Sequence, residues 1–572
     1  MASRFFAPLL FVLVTVSCIA QSTPASADRP ETKVDAIFQK MDTTISPGCA
    51  LSVIRDHRII YERGYGMADL DHNVPITPTT VFHVASMSKQ FTAASILLLA
   101  QEGKLSLDDP ARKYIPELPD FGVPVTIREL LHHTSGLRDQ WDLLNLSGWR
   151  YSRDRITDAD ILYVVSHQRE LNFPPNTKFL YSNTGYTLLA QIVARVSGQS
   201  LRAFTTERIF APLGMNNTHF RDDFDEVVKN QAYGYAPAGD TYRLSVTNFD
   251  TVGATSLLTT VEDLALWDEN FYNPRVGASA LIQQLQERGK LNDGTQLDYA
   301  AGLEIGKYRG LNTVEHGGAD AGYRSDLIRF PDQHFSVACL CNLGSANPSD
   351  LAQKVAAVYL GSVMQPAEST HAGDSKLFVL TPEQTQSKVG IYINVKDPDD
   401  VIHWVIKDGK LEAGNVGENW TYEVKPISEN RFQLGADEHV DVTFLPSASG
   451  APQQLSIKQP DGKLETFGAA PAFVPTDAEL AEYAGVYSSR EIDPLYEVKI
   501  ESGHDGKENL VLHHLKSSPD TLQAVTRDFF TADVGKIRFT RNSQGEISGF
   551  LLTTGRVIDL RFDRGRSAIA AH

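Results

Sequence analysis

The chain has 572 residues, 42% of them hydrophobic and 22% charged, an ordinary globular balance at a length that implies several domains. Its net charge is -18 and it carries no strongly basic block, which disfavours nucleic acid as a partner. The acidity otherwise speaks only for solubility.

Residues 1–27 read as a secretory signal. Arg4 is the positive n-region, Phe5 to Val16 is an apolar core too short for a membrane span, and Ala25-Ser-Ala27 is a small-residue cleavage site. Cleavage after Ala20 is the second option. Cys18 raises lipidation, although Thr15 and Val16 fit a lipoprotein signal poorly. No later segment is long and apolar enough to span a bilayer. The protein is therefore expected to be exported, periplasmic or extracellular, and without a transmembrane segment. Cys49, Cys339 and Cys341 then remain. Cys339 and Cys341 share one face of a strand and should not pair. A bridge from Cys49 to one of them is feasible in an oxidising compartment. Buried free thiols are the preferred expectation, because cysteine behaves as a small core residue.

Residues 28–45 form a helix-like lead-in, and 48–55 with 57–66 a strand pair turned at Asp56 and His57. Then comes Val84-Ala-Ser-Met-Ser-Lys-Gln90, with the apolar run Phe91 to Ala100 behind it. Ile96 to Leu99 are apolar on every side, so the helix should be buried, and Gly103 should stop it. Ser86 sits at its N-terminus with Lys89 one turn later on the same face. The helix dipole there favours negative charge developing on the serine oxygen or beside it. A desolvated lysine gives up its proton far more readily than one in water. Such a pair is one way to make a hydroxyl nucleophilic. Alone, the motif reads first as an N-cap serine and a lysine that reaches the surface, and the decision rests on what else the chain carries.

Residues 126–131 predict a short helix, followed by His132 and His133. Adjacent histidines face different ways and no further ligand stands at a suggestive spacing, so no metal is expected. Residues 138–171 read as helical and loop-rich, without a chemical signal. Pro174 and Pro175 hold an extended lead towards Tyr181-Ser-Asn183, on a turn before a helix. That helix carries Leu188, Leu189, Ile192, Val193 and Val196 on one face and ends at Gly198. Residues 256–271 supply another helix. From Tyr299 to Leu343 the pattern is strands. Thr313 to Gly318 runs out of a short strand into a glycine-rich turn carrying His316-Gly-Gly318. Residues 326–330 pair with 335–341 around Pro331 and Asp332. Residues 351–360 form a closing helix.

Residues 366–377 read as a linker. Beyond it Thr381, Gly390, Tyr392, Phe444, Gly450 and Phe467 recur as Thr476, Gly485, Tyr487, Phe539, Gly545 and Phe562, all at an offset of 95 residues. Two copies of one β-rich domain follow, 378–470 and 475–568, each a small barrel or sandwich. Neither holds a catalytic constellation. His513, His514, Trp404 and Trp420 read as core or surface residues, and Tyr392-Ile-Asn394, in a strand, as a decoy of Tyr181-Ser-Asn183.

Ser86 and Lys89, Tyr-x-Asn and His-Gly-Gly stand in order, each in a suitable local setting. With Leu130 to Leu137, Phe179 to Tyr186 and Pro212 to Met215 they make residues 34–360 resemble the serine hydrolases of the class C β-lactamase and penicillin-binding-protein group. That group includes D-alanyl-D-alanine carboxypeptidases, D-aminopeptidases and esterases. The resemblance implies an α+β fold: a β-lactamase/transpeptidase-like domain over 28–365, with an antiparallel sheet flanked by helices and a helical subdomain. The two following domains, as small antiparallel β-barrels, are similar to the D-aminopeptidase branch.

The resemblance also implies roles. Ser86 is the nucleophile that forms an acyl-enzyme, Lys89 shares its proton, and Tyr181 acts as base and as proton donor to the leaving group. Which of Lys89 and Tyr181 is the kinetic base stays open. Asn183 would bond the substrate amide. The main-chain N–H groups of Ser86 and Ala319 would form the oxyanion hole, with Gly317 and Gly318 allowing close approach.

His316 completes the catalytic set that the resemblance implies, with Ser86, Lys89 and Tyr181, and departs from the Lys-Thr-Gly of β-lactamases. A histidine is often uncharged near neutrality, so a substrate carboxylate should be held poorly. An amide, ester or N-terminal residue is the preferred substrate, and efficient β-lactamase activity is disfavoured. The readings carried forward are a peptidase, amidase or esterase, a penicillin-binding carboxypeptidase or weak β-lactamase, and a non-catalytic sensor or scaffold. The β domains are expected to restrict the cleft or to mediate self-association into a homo-oligomer. No cofactor is implied.

Overall fold

The computed structural model describes residues 29–151, 153–366 and 378–565, apart from 399, 408, 417–421, 435–439, 447–452, 460–461, 472 and 504–505. The signal segment, nearly all of the linker, Trp420 and Gly450 lie outside the described residues.

A six-stranded antiparallel sheet organises the N-terminal half. Its strands are β1 (Cys49–Arg55), β2 (Arg58–Tyr65), β3 (Glu304–Tyr308), β4 (Leu311–Asp320), β5 (Tyr323–Phe330) and β6 (Phe335–Cys341), in the order β3-β4-β5-β6-β1-β2. Helices cover both faces, so the central strand β6 is buried along its whole length and its sequence is almost continuously apolar. One face packs on α1 (Pro30–Phe38) and, from the end of this half, the helix Pro348–Leu360. The other face packs on the larger, mainly helical core.

Through that core runs α2 (Lys89–Gln101), buried at every position from Lys89 to Leu99. Beside it lies α3 (Asn183–Ser197), ended by Gly198 at φ 74°. The helix Pro348–Leu360 is α5, and Val261–Tyr272 is α4.

Three expectations are corrected. His316-Gly-Gly318 lies inside β4, which continues to Asp320, and not in a turn. β4 stays extended because Gly317 and Gly318 remain in register with Asp326 and Ser325 of β5. Residues 256–271 begin with a short strand, Leu257–Thr259, before Thr260 caps α4 by accepting from the Asp263 amide. Third, Cys49 and Cys341 form a disulfide, and among the described residues Cys339 is the one free thiol, buried. The sequence marks both strands as apolar but not as neighbours. Pairing of β1 with β6 sets Cys49 directly opposite Cys341.

Beyond residue 378 the chain closes into two eight-stranded antiparallel barrels, from Gly390–Asn394 to Leu464–Ala469 and from Gly485–Ser488 to Val557–Arg564. The 95-residue offset is a structural equivalence. Thr381 and Thr476 each close a capping box on the helix before their barrel. Tyr392 and Tyr487 each donate to the carbonyl four residues back, Lys388 at 3.0 Å and Tyr483 at 2.6 Å.

The barrels differ in attachment. The core of the second is continuous with the helical core of the N-terminal half, whereas the first has its own. Arg138 and Glu491 form a buried ion pair across the junction at 3.0 Å, and Arg138 also donates to the Ile558 carbonyl at 3.1 Å. A buried pair of this kind fixes orientation more surely than it adds stability.

Candidate active site

Ser86 lies in a 3-10 turn, Ala85–Ser88, that leads into α2, and Ala85 takes a positive φ of 49° there. β4 lies directly against this turn. A Cβ on Gly318 would come within 2.3 Å of the Val84 carbonyl oxygen and 3.0 Å of the Ser86 nitrogen, so the contact requires glycine. The Ser325 hydroxyl pins the turn by donating to the Val84 carbonyl at 2.8 Å. Gly318 thus brings the strand to Ser86. Gly317 is less confined, with 3.3 Å to its nearest neighbour, the Ser325 carbonyl oxygen.

Lys89 is wholly buried. It donates to Ser86 Oγ at 3.0 Å, Asn183 Oδ1 at 2.9 Å and the Ala254 carbonyl at 2.8 Å. Burial lowers its pKa to about 7, against the opposing charges of Asp320 and Asp139 and with the help of Arg556. Three acceptors suit the three N–H bonds of the ammonium. In the neutral amine, two N–H bonds still hold Asn183 and Ala254, and the lone pair faces Ser86 Oγ.

Tyr181 packs its ring on His133 at 4.2 Å. The Lys89 ammonium lies 4.8 Å from the ring centre. Burial pushes the Tyr181 hydroxyl above its ordinary pKa, while a hydrogen bond from Ser86 and the charge of Arg556 work the other way. Asn183 faces inward: its backbone N–H and side-chain amide both donate to Asp139 Oδ2, at 2.7 and 2.9 Å. His316 Nδ1 stands 2.6 Å from the Gly317 carbonyl and Nε2 3.0 Å from the Tyr299 hydroxyl. A carbonyl only accepts, so Nδ1 carries the proton and Nε2 accepts from Tyr299. Burial drives the His316 pKa down to about 3, with the Lys89 charge adding to the shift, so the ring is neutral.

Two residues at the site escaped sequence reasoning. Asp139, fully buried, holds Asn183; nothing in the spacing of residues 138–171 marks it. Arg556 comes from the second barrel, on the turn between its last two strands, Ile547–Thr554 and Val557–Arg564. Its guanidinium sits 5.0 Å from the Tyr181 ring centre and 3.5 Å from Asp139 Oδ2. The turn is docked firmly. The Arg556 N–H donates to Asp142 at 2.7 Å, and Asn172 bonds the Arg556 carbonyl and the Ile558 N–H, both at 2.8 Å. Gly555 has φ +50° and its Cβ would stand 2.6 Å from Asp142 Oδ2.

Ser86, Tyr181, His316 and the segment Gly317, Gly318 and Ala319 line one cleft of about 760 Å³, with Arg556 in its wall. Lys89 and Asn183 lie behind Ser86, out of the cleft.

Residues 34–361 match the family model described as Beta-lactamase. Over 463 residues the chain is 27% identical to a D-aminopeptidase of Gluconobacter oxydans (strain 621H), spanning 80% of this chain and 82% of that protein. It is 32% identical over 301 residues to penicillin-binding protein 4* of Bacillus subtilis (strain 168), over 50% of this chain and 65% of that one. The fold is similar to that of the octameric penicillin-binding protein homologue from Pyrococcus abyssi, with a TM-score of 0.53 at 24% identity over 77% of this chain and 100% of that one.

Proposed function

From the premise that the chain belongs to the beta-lactamase family and is a serine hydrolase, we propose that it hydrolyses amides or small peptides through an acyl-enzyme on Ser86, in the manner of a D-aminopeptidase or amidase, and esters by the same route. The observation that carries this is the buried Lys89 amine, 3.0 Å from Ser86 Oγ and with a pKa of about 7.

In the first half-reaction Ser86 Oγ attacks the substrate carbonyl. Its proton passes to the Lys89 and Tyr181 pair, which acts as one unit. The main-chain N–H groups of Ser86 and Ala319 hold the oxyanion. Collapse breaks the carbonyl–nitrogen or carbonyl–oxygen bond, and Tyr181 returns the proton to the leaving group. Water then attacks the ester, loses its proton to the same pair and frees the acid, and Ser86 regains its hydrogen. Asn183 and Asp139 position Lys89, and His316 with Tyr299 supports the strand wall.

His316 is neutral and offers no cation to a substrate carboxylate, which favours amides, esters and N-terminal residues. Arg556 favours a second reading, a D-alanyl-D-alanine carboxypeptidase or penicillin-binding protein with weak β-lactamase activity, because it sets a guanidinium, a bidentate partner for carboxylates, in the cleft wall. A non-catalytic sensor or scaffold is disfavoured by the complete set of Ser86, Lys89 and Tyr181. We place the protein outside the cytoplasm, in keeping with the Cys49–Cys341 disulfide. We assign the second barrel the role of shaping the cleft, and leave self-association to the first. Turnover of D- and L-aminoacyl amides, a D-Ala-D-Ala peptide and a simple ester, with Ser86→Ala as blank, tests the proposal. Dominant cleavage of the free-carboxylate peptide would move the protein to the second reading.

A further inference from the structure

The cleft continues past the nucleophile into an acidic recess. β3 pairs with β4 only as far as Glu304 opposite Glu315, and beyond that point β4 has no strand on this side. The groove along the free edge of β4 therefore ends at these two carboxylates. Asp326 lies opposite Gly317 on β5, on the same face of the sheet as Glu315, because alternate residues of a strand share a face. All three acids line the cleft that holds Ser86. The bare backbone of Gly317 leaves the way open: a Cβ there would stand 3.6 Å from Asp326 Oδ1 and 3.7 Å from Ser349 Oγ.

Among the described residues Glu304, Glu315 and Asp326 form no ion pair, with Arg324 and Arg556 lining the same cleft. Asp326 is 1% exposed, and its Oδ2 has no hydrogen-bond partner. Of the arginines nearby, Arg329 is taken by Asp268 at 2.8 Å, Arg324 donates to the Ala321 and Tyr323 carbonyls, and Arg556 lies over Tyr181 beside Asp139. Burial, with Glu304 adding, pushes Glu315 up to about 7, and burial with the charges of Glu315 and Glu304 holds Asp326 well above the carboxylate range. Among the described residues the only group of three or more His, Cys, Asp or Glu side chains with ligand atoms within 4.8 Å of one another is Cys49, Cys339 and Cys341, so the three acids are not drawn together around one point.

The recess opens into the same cleft as Tyr181, the proton donor to the leaving group, on the opposite face of β4 from His316. A carboxylate extending there would meet three acids. We propose that Glu304, Glu315 and Asp326 form a subsite for an organic cation, an ammonium or guanidinium carried by the leaving group of the substrate. The proposal rests on the serine hydrolase reading for its placement of the leaving group. It narrows the substrate class to amides, peptides or esters whose departing half is basic.

The probes are two D-alanyl amides of matched length, the 4-aminobutyl amide and the pentyl amide, which differ in a terminal ammonium or methyl group. Binding to full-length Ser86→Ala protein is measured by calorimetry, and turnover is measured with the unaltered chain. The expected result is binding of the cationic amide at least about tenfold tighter, the scale of one charge-assisted contact. The ratio should fall towards one in Asp326→Asn and in Glu315→Gln, each made in the Ser86→Ala background. Equal binding of the two amides, binding of neither, or a preference that survives both substitutions would overturn the subsite. A preference in the Ser86→Ala protein with no turnover of either amide by the unaltered chain would leave the subsite standing and remove the hydrolase reading.

Discussion

The Arg556 guanidinium lies 5.0 Å from the centre of the Tyr181 ring, although one residue belongs to the second barrel and the other to the catalytic domain. The cleft that holds Ser86 and Tyr181 is thus built by both halves of the chain, and the barrel hairpin is part of its wall. Arg556→Ala should open that wall. The ratio of kcat/KM for long over short amides should rise several-fold. Gly555→Ala should do the same by a different route, since it strains a φ of +50° and pushes on Asp142, at a cost of about 1–3 kcal/mol. A ratio unchanged in both variants would mean that the hairpin stands clear of the substrate.

Under the proposed mechanism Lys89 sets the pH dependence. Its pKa is about 7, so the neutral amine, the form able to take the Ser86 proton, is scarce below that pH and dominant above it. Ser86-dependent kcat/KM should therefore rise with pH around a midpoint near 7. Lys89→Arg keeps the charge at every pH and should lower kcat/KM by about 10³-fold or more. A flat profile between pH 5 and 9, of the order of two pH units either side of that midpoint, would contradict the assignment.

Asp139 raises the Lys89 pKa through its charge and holds Asn183 through two hydrogen bonds. Asp139→Asn should move the midpoint of the pH profile to lower pH while reducing kcat. A substitution that acted on folding alone would lower the amount of active enzyme and leave the midpoint in place.

Much of this site is legible in the sequence because its parts are local. Ser86 and Lys89 share one helical turn, Tyr181 and Asn183 stand two apart before a helix, and His316 to Ala319 are contiguous. The apolar run after Lys89 announces a helix buried all round. What the sequence does not carry is adjacency between distant strands and domains. Cys49 meets Cys341 only because β1 pairs with β6. Asp139 acts through Asn183, and Arg556 arrives on a hairpin of a domain whose repeat signals a barrel and not a catalytic wall. Gly318 looks like a turn residue, yet it is a strand residue kept bare by the backbone of Val84 and Ser86.

The Cys49–Cys341 disulfide closes 292 residues of chain separation, so its loss should destabilise the catalytic domain by about 2–5 kcal/mol. Thermal unfolding with and without a reductant checks this, once the protein is opened enough for the buried bond to be reduced. Peptide mapping should find Cys49 linked to Cys341 and Cys339 alkylated only after unfolding.

Across the domain junction, Glu491→Gln leaves the Arg138 charge buried without its partner. It should cost about 3–5 kcal/mol. Replacing both residues with apolar ones should cost much less, and a double-mutant cycle in denaturant separates the two.

The most direct test of the central claim is the mass of the intact protein during turnover of a slow ester. The account predicts a transient adduct equal to the acyl group, mapped to Ser86, that is absent in Ser86→Ala and decays as free acid appears. Turnover with the acyl group on another residue, or turnover undiminished in Ser86→Ala, would contradict it.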